Sequence, residues 1–82
     1  MAIKSEKIKG KLIINEYDST NLKYSEYDTT TQELIMEFKK GGKYSYSDVP
    51  LKEFTKMRRA ESQGSYFSKN ISKNYKYKKL SS

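Results

Sequence analysis

The sequence contains no cysteine, no histidine and no tryptophan, and a single proline in 82 residues. Without cysteine there are no disulfides and no thiolate zinc sites. Without histidine the usual transition-metal ligand is missing, as is the side chain that titrates near neutrality. Acid–base and nucleophilic catalysis at neutral pH thus lose their common carriers. The carboxylates show no spacing that marks a glycosidase or metal site, and no G-x-x-x-x-G-K-[ST] phosphate loop is present. The chain is expected to be no enzyme, with no cofactor and no metal.

Long apolar runs are also absent. The longest, Leu12-Ile13-Ile14, falls far short of the roughly 18 residues of a membrane span. The N-terminus MAIKSEKIKG lacks the apolar stretch of a secretory signal, so a cytoplasmic protein without membrane contact is expected. Hydrophobic residues make up 34% of the chain; even with its 4 glycines the apolar share stays below the about 45–50% of ordinary domains. Eight Tyr and three Phe compensate with large rings, each Tyr bringing a hydroxyl that needs a partner. Eighty-two residues suffice for one thin-cored domain. With disulfides and metals gone, a homo-oligomer is the remaining route to extra stability.

What the chain has in excess is positive charge, unevenly placed. Residues 1–51 hold 8 Lys and 8 acids, whereas residues 52–82 hold 9 Lys and Arg against Glu53 and Glu61. The whole net charge of +7 therefore lies in the last 31 residues. Such asymmetry points to an anionic partner, nucleic acid or a phosphate-bearing nucleotide first, with a merely solvated basic surface as the alternative.

Hydrophobic periodicity predicts strands, then helices. Residues 1–9 read as a frayed lysine-rich end. Residues 11–17 read as a strand with Leu12 and Ile14 on one face, and a second strand carries Leu22, Tyr24 and Tyr27. Leu34, Met36 and Phe38 share one face of the clearest strand, with Glu33, Glu37 and Lys39 opposite, and Gly41-Gly42 predicts a tight hairpin turn into residues 43–47. The period then changes. Asp48-Val49-Pro50 opens a helix with Leu51, Phe54, Met57 and Ala60 on its apolar face. Ser62-Gln63-Gly64 breaks it, and a second helix runs from near Ser65 with Phe67, Ile71 and Tyr75 at intervals of four. Lys76, Lys78 and Lys79 read as a solvated tail. Glu16-Tyr17-Asp18-Ser19-Thr20 and Glu26-Tyr27-Asp28-Thr29-Thr30 are near copies ten residues apart, which adjacent strands with similar turns would produce. The expected class is α+β: an antiparallel sheet of three to four strands followed by two short C-terminal helices.

The stretch from Thr20 to Tyr75 resembles the KTSC domain. The likeness is carried by Tyr27-Asp28, Leu34-x-Met36-x-Phe38, Gly41-Gly42, Tyr44-x-Tyr46, Val49-Pro50, Ala60-x-Ser62-x-Gly64-x-Tyr66-Phe67, Ile71 and Tyr75. That family is a module of bacteria and their phages, also found at the C-terminus of some lysyl-tRNA synthetases. The resemblance implies an RNA-binding role and no catalytic site. It divides the chain into an N-terminal extension at 1–19 that can add a strand, a domain at 20–77 and a basic tail at 78–82.

Four groups of residues are candidates for ligand contact. Tyr44 and Tyr46 share one strand face about 7 Å apart, a platform for stacked bases; the alternative is that both rings lie in the core. Arg58 and Arg59 are the only arginines and suit bidentate phosphate contacts, unless they line a solvated helix face with Arg58 paired to Glu61. Ser62, Gly64, Ser65 and Tyr66 surround a turn before a helix, where they either approach a phosphate or cap the helix ends. Lys69 and Lys73, with Lys76, form one stripe on a helix, suited to tracking a backbone or simply to solvation.

Three functions follow. The first is a non-catalytic binder of RNA or single-stranded DNA. The second is an oligomeric phage or bacterial sponge for a small phosphate-bearing nucleotide signal, and the third a protein-interaction adaptor.

Overall fold

Six strands and two short helices make up residues 2–18 and 22–81, which this computed structural model describes. Strands β1 (Ala2–Lys9), β2 (Leu12–Asp18), β3 (Leu22–Asp28), β4 (Glu33–Phe38) and β5 (Lys43–Tyr46) run as a meander. Helices α1 (Leu51–Arg59) and α2 (Gln63–Tyr66) follow, and α2 continues into a π-helical turn at Phe67–Ile71. The chain then returns as β6 (Tyr77–Ser81) on the free edge of β5. All neighbouring strands are antiparallel and lie in chain order.

The α+β class is as expected, but the sheet has six strands rather than three to four. The helices accordingly sit between β5 and β6 instead of closing the chain. Both added strands come from segments that read as solvated ends: Ala2–Lys9 form β1 against β2, and the supposed basic tail pairs with β5. The physical reason is that strand pairing draws on backbone groups, which no side-chain pattern announces. Outer strands also favour lysine, because charge blocks edge-to-edge aggregation. A composition that reads as a tail is equally that of an edge.

One face of the sheet carries the core. Ile13, Tyr27, Leu34 and Tyr46 stand opposite one another across β2 to β5, and all four are buried. From the helical side Phe54, Met57, Phe67 and Ile71 fill the space above them. Each such buried side chain contributes about 1.5–3 kcal/mol. Tyr27 stacks on Phe54 with ring centres 4.6 Å apart, and its hydroxyl donates to the Val49 carbonyl. That bond ties the β5–α1 connection to the middle of the sheet. Tyr17, from the first copy of the echo, is buried as Tyr27 is from the second, and its hydroxyl meets the Ser25 hydroxyl at 2.6 Å. The repeat is thus a repeat of strand and core position; Ser19 and Thr20 lie outside the described residues.

The β4–β5 hairpin forms as the glycine pair predicts, with Gly41 and Gly42 at φ 98° and 94°. Helix α1 turns Phe54 and Met57 inward, while Leu51, expected on the same face, stays 45% exposed in the first turn. The second helix is shorter than its apolar spacing suggests. Asn70, Ser72 and Asn74 each donate from the side chain to the carbonyl four residues back, at 3.2, 2.9 and 2.7 Å. Side chains that claim those carbonyls compete with the helical ladder. Regular helix ends in the π-helical turn, and residues 72–76 lead as a short connection into β6.

Candidate functional site

Strand β6 rebuilds the aromatic surface expected on β5. Tyr46 is 5% exposed and edge-on to Phe67 at 5.2 Å, so it belongs to the core and offers no face to a ligand. Burial also raises its pKa. Tyr44 is half-buried, and Tyr77 on β6 lies edge-on to it at 5.7 Å with 62% of its own surface exposed. The register sets Tyr77 opposite Tyr46 and Lys79 opposite Tyr44, placing all four on one face. The aromatic pair open to solvent is therefore Tyr44–Tyr77 across two strands, not Tyr44–Tyr46 along one.

Of the nearby cationic side chains, Lys79 shares the face of that pair, whereas Lys78, opposite Ser45, belongs to the other face. Lys69, Lys73, Lys76, Lys78 and Lys79 are all exposed. Because helix stops at Ile71, the three lysines at 69, 73 and 76 do not form one helical stripe. Lys69 lies in the π-helical turn, Lys73 in the connection and Lys76 at the foot of β6. Lys73, Lys76, Tyr75 and Tyr77 line an open depression of about 560 Å³. The ion pairs among the described residues are Lys11–Asp28, Lys23–Glu37 and Arg58–Glu6, and they draw on none of these lysines.

A carboxylate holds this region in place. Glu53 of α1 accepts hydrogen bonds from the Tyr66 hydroxyl and, at 3.3 Å, from the Tyr75 hydroxyl. One side chain so links α1, α2 and the connection into β6. The bond to Glu53 pushes the Tyr66 hydroxyl up to about 12, and burial followed by the Glu53 charge raises Tyr75. Both hydroxyls stay protonated and committed to Glu53.

The remaining candidates do not converge. Arg58 meets Glu6 at 2.5 Å, its guanidinium lying 5.1 Å from the centre of the Phe54 ring. It finds its acid on β1 rather than at Glu61 on the next turn. Arg59 is exposed at the last residue of α1. The Ser62 hydroxyl accepts from the Ser65 amide at 3.3 Å, so Ser62 and Ser65 serve as a helix cap. Gly64 lines a separate cleft with Tyr44. Arg58 and the Tyr66 hydroxyl are thus each engaged by an acid of the chain itself, Glu6 and Glu53. Lys78 and Lys79 were legible only as a tail; the one available signal was the alternation Tyr75-Lys76-Tyr77-Lys78 just before them.

Among the described residues no group of three or more acids, His or Cys stands ready to hold a metal, and no helix is long and apolar enough to cross a membrane.

Comparison with known proteins follows the same geometry. The chain matches the KTSC domain family over residues 18–75. A lysine–tRNA ligase of Trichormus variabilis is 43% identical over 60 residues, covering 73% of this chain and 11% of the ligase. A lysine–tRNA ligase of a Nostoc species is 42% identical over 60 residues with the same coverage, so the chain spans about a tenth of the length of these relatives. The crystal structure of a KTSC domain protein from Yersinia pestis superposes with a TM-score of 0.79 at 23% identity, covering 84% of this chain and 97% of that one. The sheet with its inserted helices is the same fold, and the match spans most of the sequence: the chain belongs to the KTSC domain family.

Proposed function

We propose that the protein is a non-catalytic binding module for single-stranded nucleic acid, RNA first, gripped along the β6 edge. The observation that carries this reading is Tyr77, 62% exposed beside Tyr44, on a strand that also bears Lys78 and Lys79. A base stacks on an aromatic face whatever its identity, for about 1–3 kcal/mol, and lysines track the phosphates on either side. Tyr77 and Tyr44 are the stacking surface; Lys73, Lys76, Lys78 and Lys79 supply the charge. RNA is placed first because two relatives are named for ligating lysine to a tRNA.

Fluorescence anisotropy with labelled single-stranded RNA tests the reading. Affinity should fall steeply between about 50 and 200 mM salt. Replacing Lys76, Lys78 and Lys79 by Ala should flatten the log–log salt slope by about 2, since each phosphate contact on a single strand contributes about 0.7. Binding indifferent to salt would remove the proposal.

A further inference from the structure

On the far side of Tyr44 the surface opens into a cleft of about 330 Å³ between the β4–β5 turn and the second helix. Phe38, Tyr44 and Phe67 form its aromatic wall, with Lys40, Gly64 and Ser68 around them. Phe38 stands edge-on to Tyr44 at 5.8 Å and tilted to Phe67 at 5.6 Å, so the rings present differently oriented faces to one small space. Among the described residues no acid lines the cleft. Lys40 is exposed at the turn, outside the ion pairs formed among the described residues. Ser68 adds a hydroxyl that can donate or accept.

Size and chemistry narrow the occupant. Ligand pockets run from about 300 to 1,000 Å³, and this one sits at the lower limit, with room for one ring system and not for a stack. Aromatic walls favour a planar ring, and a lone cation without a competing acid favours an anion attached to it. A nucleobase with its phosphate combines both. Tyr44 closes one side of the cleft and meets Tyr77 on the other, so a strand stacked on Tyr77 would pass the cleft mouth.

We infer that the Phe38–Tyr44–Phe67 cleft receives one unstacked base of the bound strand, with the adjoining phosphate against Lys40. The strand that delivers the base rests on the proposed function, but the cleft's affinity for a nucleotide can be read separately. Ser68→Trp is the test variant: Ser68 is exposed and lines the cleft, so a large ring there fills the space while the core residues stay in place.

Nucleoside monophosphates are titrated at millimolar concentration against labelled protein, following the ring signals of Phe38, Tyr44 and Phe67 by NMR. Saturating shifts at these rings, abolished in Ser68→Trp and weakened in Lys40→Ala, are expected. Ser68→Trp should also bind single-stranded RNA about tenfold more weakly, the loss of one stacked base. Ring signals that do not move, together with unchanged RNA affinity in Ser68→Trp, would overturn the cleft and leave the β6 edge standing. Should the unmodified protein bind no RNA even at low salt, the edge is wrong, and the monophosphate titration alone decides the cleft: shifts keep it and silence removes it.

Discussion

Arg58 on α1 and Glu6 on the outermost strand β1 meet at 2.5 Å, joining two segments far apart in the chain. The same Glu6 oxygen accepts from the side-chain amide of Asn15 at 3.3 Å, and Asn15 is wholly buried. A single carboxylate therefore docks the first hairpin onto the helical layer while satisfying a buried amide donor. One of the two arginines offered for an external phosphate is thus occupied from within.

Glu6→Ala should strand both partners and cost about 1–2 kcal/mol, held down by the partial exposure of the pair. In a domain this small each kcal/mol lowers the melting temperature by about 4–8 °C, which calorimetry would resolve. Glu6→Gln, which keeps an acceptor for Asn15, should lose less. Equal melting of the two variants and the parent would mean the contact contributes nothing in solution.

The stacked pair Tyr27–Phe54 lies at the centre of the core, and Phe54 is fully buried. Phe54→Ala should cost about 3–5 kcal/mol, measured as a lower urea midpoint. A loss below about 1 kcal/mol would place Phe54 outside the core.

Two neighbouring tyrosines should respond in opposite ways. Tyr77→Ala, at the exposed position, should weaken single-stranded RNA by about 1–3 kcal/mol and lower the urea midpoint much less than a core truncation does. Tyr46→Ala should instead lower the midpoint, because that ring is packed against Phe67. A Tyr77 variant with full RNA affinity would move the stacking surface elsewhere.

Stability should decline at alkaline pH. Burial pushes the Tyr17 hydroxyl up to about 12, against the opposing pull of its Ser25 bond and of Arg58, and the Glu53 bond takes Tyr66 to about 12. An unfolded tyrosine ionises near 10. The folded state therefore holds protons that the unfolded state releases, so stability is complete below about pH 10 and drains away up to about pH 12. Urea midpoints across that window check the sign, and Tyr17→Phe should flatten part of the fall. A midpoint that rises with pH would contradict the assignment.

How much of this was legible in the chain depends on whether a feature is local. Leu34, Met36 and Phe38 alternate, and Gly41-Gly42 accepts positive φ, so the central hairpin reads directly from short-range pattern. Phe54 with Met57, and Phe67 with Ile71, disclose both helices, although the carbonyl-claiming Asn70, Ser72 and Asn74 cut the second one short. The outer strands were hidden because β1 and β6 owe their structure to backbone pairing with β2 and β5. For the site, Tyr44 and Tyr46 were rightly placed on one face. Nothing in their spacing told which would be roofed by Phe67 and which would find Tyr77. The Arg58–Glu6 contact depends on the fold closing, which no spacing encodes.

The continuous sheet also bears on where such a domain begins and ends. A fragment trimmed to residues 18–75 would leave Ile13 and Tyr17 behind on one flank and Tyr77 on the other. Tyr27 and Tyr46 would then be uncovered, and two unprotected strands would face water in place of the lysine-rich borders. The family match over residues 18–75 thus stops short of both outer edges of the sheet.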